Sequence, residues 1–356
     1  MALGGVLPAP LPLLLLLLAT TALLPLAGGR GGSLPPPPCQ FYAPEELPNL
    51  HQLDLRIPQS DFDDLVRAST NRNFGSRAGT LQFNSATYAN VEIEVHGGDP
   101  QRGRTRNSKP SFRLKFDKHD PFPSKHGNPF NFPRDSGCNN MKKVVLRGEW
   151  NDAPIANKGI MIRNKLSQDL IKRAGGQTPR EDFAELYVNS QYFGLYGLEE
   201  HVSEEWFECQ GWDTARSSLY KAAGWGSCRF PCETTEWKVT GSRCGNGWER
   251  KIPDSGDCAE RACPSMDDDL DQLFSVVNSG MDGRMSASAL RTLTSTVNMT
   301  DYSLWQIVAV ISMNCDTGSH NFYVHGPTLG TESRAGETRL WRVISEYTTQ
   351  PSHHAV

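Results

Sequence analysis

Apolar residues fall on two different periods along this chain. From Ala89 to Gly98 it reads ANVEIEVHGG, with Val91, Ile93 and Val95 on every second position, the period of a strand that buries one face. A Gly- and Arg-rich break, GGDPQRGRTRNSKP, leads into SFRLKF, where Phe112, Leu114 and Phe116 point one way and Arg113 and Lys115 the other. Two strands flanking a glycine-containing turn predict a flap, and KKVVLRG from Lys142 to Gly148 predicts a third strand. Ile162, Leu166, Leu170 and Ala174 then recur every four residues, which predicts an amphipathic helix that buries this stripe and stops at Gly175-Gly176. AELYVNSQYFGLYGLEEHV, Ala184 to Val202, reads as two apolar strands around a turn at Asn189-Ser190.

Farther on the helical period takes over. MDDDLDQLFSVVNSG places Asp267 to Asp269 in a first helical turn, Leu270, Leu273, Phe274 and Val277 on one face, and Gly280 beyond the end. The acidic run lacks the alternating Asp and central Gly of a calcium loop, so a helix N-terminus is the better reading. TDYSLWQIVAVISMN predicts a helix capped by Thr300 that buries Leu304, Ile307, Val308 and Ile311. Past Asn321 the pattern returns to alternation in FYVH, then a Gly- and Thr-rich turn, then RLWRVI from Arg339 to Ile344. A strand-rich first part and a helical second part predict an α+β fold.

Composition adds a compartment. Residues 1–29 carry no charge and have a core of six leucines, Leu13 to Leu18, with a small-residue exit at Leu26 to Gly29, the pattern of a secretory leader. Residues 30–45 are a Pro-rich linker, and the folded domain is expected over 46–344. Nine cysteines fit an oxidising compartment, and six of them, from Cys209 to Cys263, predict a disulfide-stapled insertion over 209–263. Zinc is the rival, since Cys228 and Cys232 have ligand spacing, but no His lies between Cys209 and Cys263. The odd count leaves at least one thiol unpaired within the monomer, with Cys315 a candidate, and Asn298-Met299-Thr300 is a glycosylation sequon. A net charge of -4 gives no electrostatic reason to bind nucleic acid, and a membrane is expected only if the leader stays uncleaved. The scattered His, with no H-E-x-x-H, argue against a metal-dependent hydrolase.

The candidate chemistry lies in ISMNCDTGSHNFYVHG, Ile311 to Gly326, where Asp316 and Asn321 stand five positions apart between a helix and a strand. A protein-kinase catalytic loop has this layout, with Asp accepting the substrate hydroxyl proton and Asn holding a magnesium ion. Four blocks in order, RTRNSKPSFRLKFDK, IANKGIMIRNKLSQDLIKRAGG, AELYVNSQYFGLYGLEEHV and NCDTGSHNFYVHG, resemble those of the CotH family, spore-coat proteins similar to atypical secreted protein kinases. The resemblance runs from about Asn90 to Ile344 and implies a two-lobed kinase-like fold, ATP with Mg2+ or Mn2+, and phosphorylation of Ser or Thr on secreted or surface proteins. It implies Asp316 as the catalytic aspartate and Asn321 as a metal ligand. Arg113, Lys115, Arg147 and Arg163 are candidates for ATP phosphates or for pairing with a helix. Glu199, Glu200 and Val202 fall where kinases place the hinge that binds adenine through backbone. Some CotH-like proteins act as adhesins, so a non-catalytic surface-binding protein is the alternative.

After RLWRVI the family continues into a Trp-Asp motif whose Asp binds the metal that bridges the phosphates. This chain reads SEYTTQPSHHAV instead, so residues 345–356 are read as a divergent tail and the second lobe as shortened. Glu346 is the only acid there, and its extra methylene displaces the carboxylate relative to an Asp. The leading expectation is a CotH-type kinase, and the loss of this ligand puts its activity in this form in question, because phosphoryl transfer depends on neutralising the metal-bound phosphates.

Overall fold

Residues that alternate apolar and polar need a buried face to turn toward, and here a sheet closes around them. The computed structural model of the chain describes residues 50–68, 75–96, 109–123, 140–148, 162–222, 248–252, 268–278, 286–312, 322–327 and 340–345. Seven strands, β1 (Leu50–Arg56), β2 (Arg77–Phe83), β3 (Ala86–His96), β4 (Ser111–Lys115), β5 (Lys143–Arg147), β6 (Glu181–Val188) and β7 (Gln191–Glu200), form a closed barrel in the order β1-β2-β3-β4-β5-β7-β6. All neighbours are antiparallel except β1 and β6, whose parallel pairing closes the ring. Val91, Ile93, Phe112, Leu114, Val144, Leu146 and Leu198 point into the barrel and are fully buried. Each such side chain contributes about 1.5–3 kcal/mol relative to exposure. Helix α1 (Gln59–Ala68) adds Phe62 and Leu65 to this core, with Phe62 edge-on to Phe193 at 4.9 Å.

The predicted turn at Asn189-Ser190 is present. Both residues have positive φ, 51° and 67°, as a two-residue hairpin with right-handed strands requires. The strands either side of the predicted flap pair in register, Glu94 opposite Arg113 and Ile93 opposite Leu114. The flap itself lies outside the described residues.

A second, four-stranded sheet has the order β11-β10-β8-β9, from β8 (Ser217–Ala222), β9 (Trp248–Ile252), β10 (Phe322–Pro327) and β11 (Arg342–Ser345). Strands β8 and β9 lie between Cys209 and Cys263, so the cysteine-rich segment contributes to the core of this sheet. Cys209 itself ends helix α3 (Glu204–Cys209) and is disulfide-bonded. Helices α4 (Asp268–Asn278), α5 (Ala287–Thr296) and α6 (Met299–Ile311) follow, and Leu270, Leu273, Phe274 and Trp305 pack with Phe322 and Val324. Gly326 sits where a Cβ would meet the Trp341 ring at 2.3 Å. The fold is α+β, and its first part is a closed barrel rather than an open sheet. Among the described residues no helix is long and apolar enough to cross a membrane.

Two helices turn a different face inward from the one their period predicts. In α2 (Arg163–Arg173), Ile162 just before it is 46 % exposed, Leu166 is 37 % exposed and Ala174 is exposed, while Asn164, Lys165, Ser167, Gln168, Asp169 and Ile171 are buried. The helix lies against the charged outer face of the barrel, so its polar residues find partners there. In α6, Val308 is buried but Ile307 and Ile311 are exposed, and Asp301, Trp305 and Ala309 take the inner positions. Its cap is Asn298 rather than Thr300, because the Asn298 Oδ1 accepts from the Thr300 and Asp301 amides, both at 3.1 Å. Leu170 and Ile171 of α2 meet Leu304 and Val308 of α6, which ties the barrel's outer helix to the second sheet.

Candidate functional site

The alternation that sends Phe112 and Leu114 inward sends Arg113 and Lys115 outward, and the same parity on β5 and β7 puts Lys143, Val145, Arg147 and Glu199 on that outer face. Cross-strand register aligns them: Glu94 with Arg113, Arg113 with Val145, Val145 with Glu199, and Lys115 with Lys143. Helix α2 packs on β6 and reaches Glu199 of β7, while Arg113 and Lys115 on β4 stay about one third exposed.

Beneath α2 is a buried charged cluster. Arg147 Nε donates to Glu199 Oε2, and Gln168 Nε2 of α2 donates to Glu199 Oε1 at 2.9 Å. Arg147 is 8 % exposed, and Glu199 and Gln168 are 1 % exposed. Gln168 Oε1 is buried with no hydrogen-bond partner, an acceptor open to a further donor. One turn earlier, Lys165 Nζ reaches Asp169 Oδ2 at 3.1 Å and the Glu181 carbonyl at 2.9 Å, which fixes the helix on β6. Arg163 starts α2 and is half-buried.

The two carboxylates expected at a hinge are both engaged by side chains. Glu200 pairs with Arg180, accepts the Arg180 amide at 2.8 Å and accepts Trp206 Nε1 at 3.2 Å. Its own amide donates to the Arg180 carbonyl at 2.9 Å, so the sheet ladder uses it up. Val202 is buried among Trp206, Phe207, Leu219, Ile252, Tyr323 and Ile344, where the chain leaves the barrel for the second sheet. Lys142, at the base of β5, reaches Glu205 of α3 at 2.5 Å.

On the open part, Arg113 Nε donates to Glu94 Oε1, and Lys115 Nζ lies 3.3 Å from the same oxygen and 3.6 Å from Glu92 Oε2. Burial pushes the Glu94 carboxyl up, but the Arg113 hydrogen bond and the charges of Arg113 and Lys115 win and hold it below its usual value. Burial, then Arg113, push the Lys143 ammonium below the usual lysine value.

Of the residues singled out in the sequence, Arg147 and Glu199 are brought into contact, Arg113 and Lys115 lie together on β4, the strand beside that of Arg147, and Glu200 and Val202 mark the barrel exit. Asp316 and Asn321 lie outside the described residues, as do Cys315 and Glu346. Gln168 and Lys143 were missed. Gln168 sits on the face of α2 that its leucines made look external, while Lys143 follows Lys142 in a pattern that could have been read, since it shares parity with Val145 and Arg147. Among the described residues no group of three or more His, Cys, Asp or Glu could hold a metal ion. A family model described as CotH kinase protein matches residues 93–346, more than two thirds of the chain. A search of curated proteins finds no match.

Proposed function

The chain belongs to the CotH kinase protein family, and on that premise we propose that it is a secreted ATP-dependent kinase acting on Ser or Thr of secreted or surface proteins. In this reading the barrel forms the first lobe of a kinase-like pair, and the four-stranded sheet with α4 to α6 belongs to the second. The observation that carries it is the buried cluster of Arg147, Glu199 and Gln168. A kinase keeps a cation for the ATP phosphates on the second strand after its flap and pairs it with a carboxylate on the helix that follows. Here Arg147 is that cation, the carboxylate comes from β7, and the helix supplies an amide. Holding a guanidinium rigid and out of water strengthens its pull on a phosphate oxygen.

The donors on this face, Arg147, Arg113, Lys115 and Lys143, fit a polyphosphate. A magnesium or manganese ion, when bound, neutralises charge on the phosphoryl oxygens. Asn321 would hold that ion, and Asp316 would orient the acceptor hydroxyl and take its proton. With the Glu200 amide committed to the sheet, backbone contacts to a base would fall to His201 and Val202, just past the ladder. Arg163, at the start of α2, is the remaining candidate for a phosphate.

Labelled-phosphate transfer from ATP, with magnesium or manganese, to the protein itself or to an acidic or Ser-rich secreted acceptor tests the reading. Asp316→Ala should abolish the label. Equal labelling in both proteins removes the role given to Asp316. No labelling and no ATP-dependent rise in melting temperature would favour a non-catalytic surface-binding protein.

A further inference from the structure

Lys115 and Lys143 face each other directly across the β4–β5 ladder, and Arg113 stands two residues from Lys115 on the same face. Like charges directly opposite in a sheet destabilise it. Two carboxylates answer these three cations: Glu94 contacts both Arg113 and Lys115, and Glu92 contacts Lys115. Among the described residues, Lys143 makes no hydrogen bond and no ion pair, although it is half-buried. Three cations thus stand against the two carboxylates that contact them, and Glu205, the further carboxylate acting on Lys143, is already paired with Lys142.

We propose that Lys143, with Arg113 and Lys115, forms a phosphate-binding subsite on the outer face of β4 and β5, one strand parity with Arg147 but toward the opposite end of β5. A phosphate suits it better than a carboxylate. Its tetrahedral oxygens accept donors arriving from several directions, as these three do from two strands, and the planar carboxylates of Glu92 and Glu94 already occupy the outer side. Binding relieves the repulsion between Lys115 and Lys143 that the empty sheet carries. Burial first and then the Arg113 charge lower the proton affinity of Lys143, with Lys115 adding to them and Glu205 and Glu94 opposing, so part of this shift is the same repulsion seen from its ammonium. The subsite rests on the kinase reading only for the source of its phosphate, a nucleotide rather than a free polyphosphate.

The test uses the full chain and measures binding of tripolyphosphate, ATP and adenosine by calorimetry, with ligand-free melting temperatures alongside. K143M should melt at or above the wild-type temperature without ligand, yet bind tripolyphosphate and ATP at least tenfold more weakly, while K143R keeps both. Adenosine, which has no phosphate, should bind the two proteins alike. A residue with a merely structural role would lower the melting temperature and leave affinity unchanged. Wild type that binds tripolyphosphate but not ATP keeps the subsite, assigns it to free polyphosphate and counts against the nucleotide reading. Wild type that binds neither, K143M that binds both as tightly as wild type, or K143M that melts well below wild type overturns the subsite.

Discussion

Removing the charge from Arg147 should unfold more of the protein than its place at the edge of a strand suggests. Arg147 is 8 % exposed and its partner Glu199 is 1 % exposed, so the truncation R147M leaves a carboxylate in the interior that still accepts from Gln168. Breaking a buried pair from one side costs about 3–5 kcal/mol, because the remaining charge keeps its desolvation penalty and loses its compensation. For a domain of this size that corresponds to a fall in melting temperature of roughly 6–20 °C. Substituting both members by apolar residues of similar volume, R147M with E199L, removes both penalties, and the double variant should recover most of the loss. Arg147 and Glu199 have contacts beyond this pair, so the informative quantity is the coupling from a double-mutant cycle rather than either single cost. Urea melts of the four proteins, followed by tryptophan fluorescence, give it. Single costs under about 1 kcal/mol, or a double variant equal to the sum of the singles, would show that the cluster is not the buried, mutually dependent unit described above.

His325 makes an acid-sensitivity prediction. It is stacked on Trp212 at 4.4 Å and edge-on to Phe207 at 4.6 Å, and burial, helped by the Arg342 charge, lowers its pKa to about 3 from 6.5. Below pH 6.5 the unfolded chain takes up a proton that the native one refuses, so stability present above that pH should fall by about 2 kcal/mol between pH 6.5 and 5. H325F, which keeps an aromatic ring in the stack, should flatten that part of the profile; parallel stability-versus-pH curves for the two proteins would refute it. At Gly326 a methyl would sit 2.3–2.5 Å from three atoms of the Trp341 ring, so G326A should destabilise by about 1–3 kcal/mol with a change in the near-ultraviolet circular dichroism. An unchanged melt and spectrum would mean that the Trp341 ring does not approach β10 as closely as described.

Where the sequence was legible, one physical constraint acted alone. Strands β3 and β4 alternate because one face meets the barrel core and the other does not, and the turn at Asn189-Ser190 follows from two positions that tolerate positive φ. Strand β1 and helix α1 went unread. Closing the barrel depends on the parallel pairing of Leu50 to Leu55 with Phe183 to Val188, a contact across more than a hundred residues that no local period announces. In α6 half of the stripe was right, Val308 but not Ile311, since the helix meets α2 along a short seam rather than along its length.

Helix α2 is the instructive failure, because it was misread for a reason that bears on function. Period analysis assumes that the inward face is the apolar one. That holds when a helix packs on a hydrophobic surface, but the outer face of β5, β7 and β6 offers Arg147, Glu199 and the carbonyl of Glu181 instead. A helix can bury Lys165, Gln168 and Asp169 there only because each finds a partner, since an unpaired buried charge or amide would cost more than a leucine gains. A chain that buries polar side chains on both sides of a helix–sheet interface, while leaving Ile162 and Leu166 in solvent, gives up hydrophobic stabilisation to hold a guanidinium in place. The trade makes physical sense if Arg147 must be fixed for a ligand. It also predicts that Q168M, beyond the roughly 1–3 kcal/mol of stability lost with its hydrogen bond to the buried Glu199, would weaken ATP binding measured by calorimetry, which a residue kept only for packing would leave unchanged.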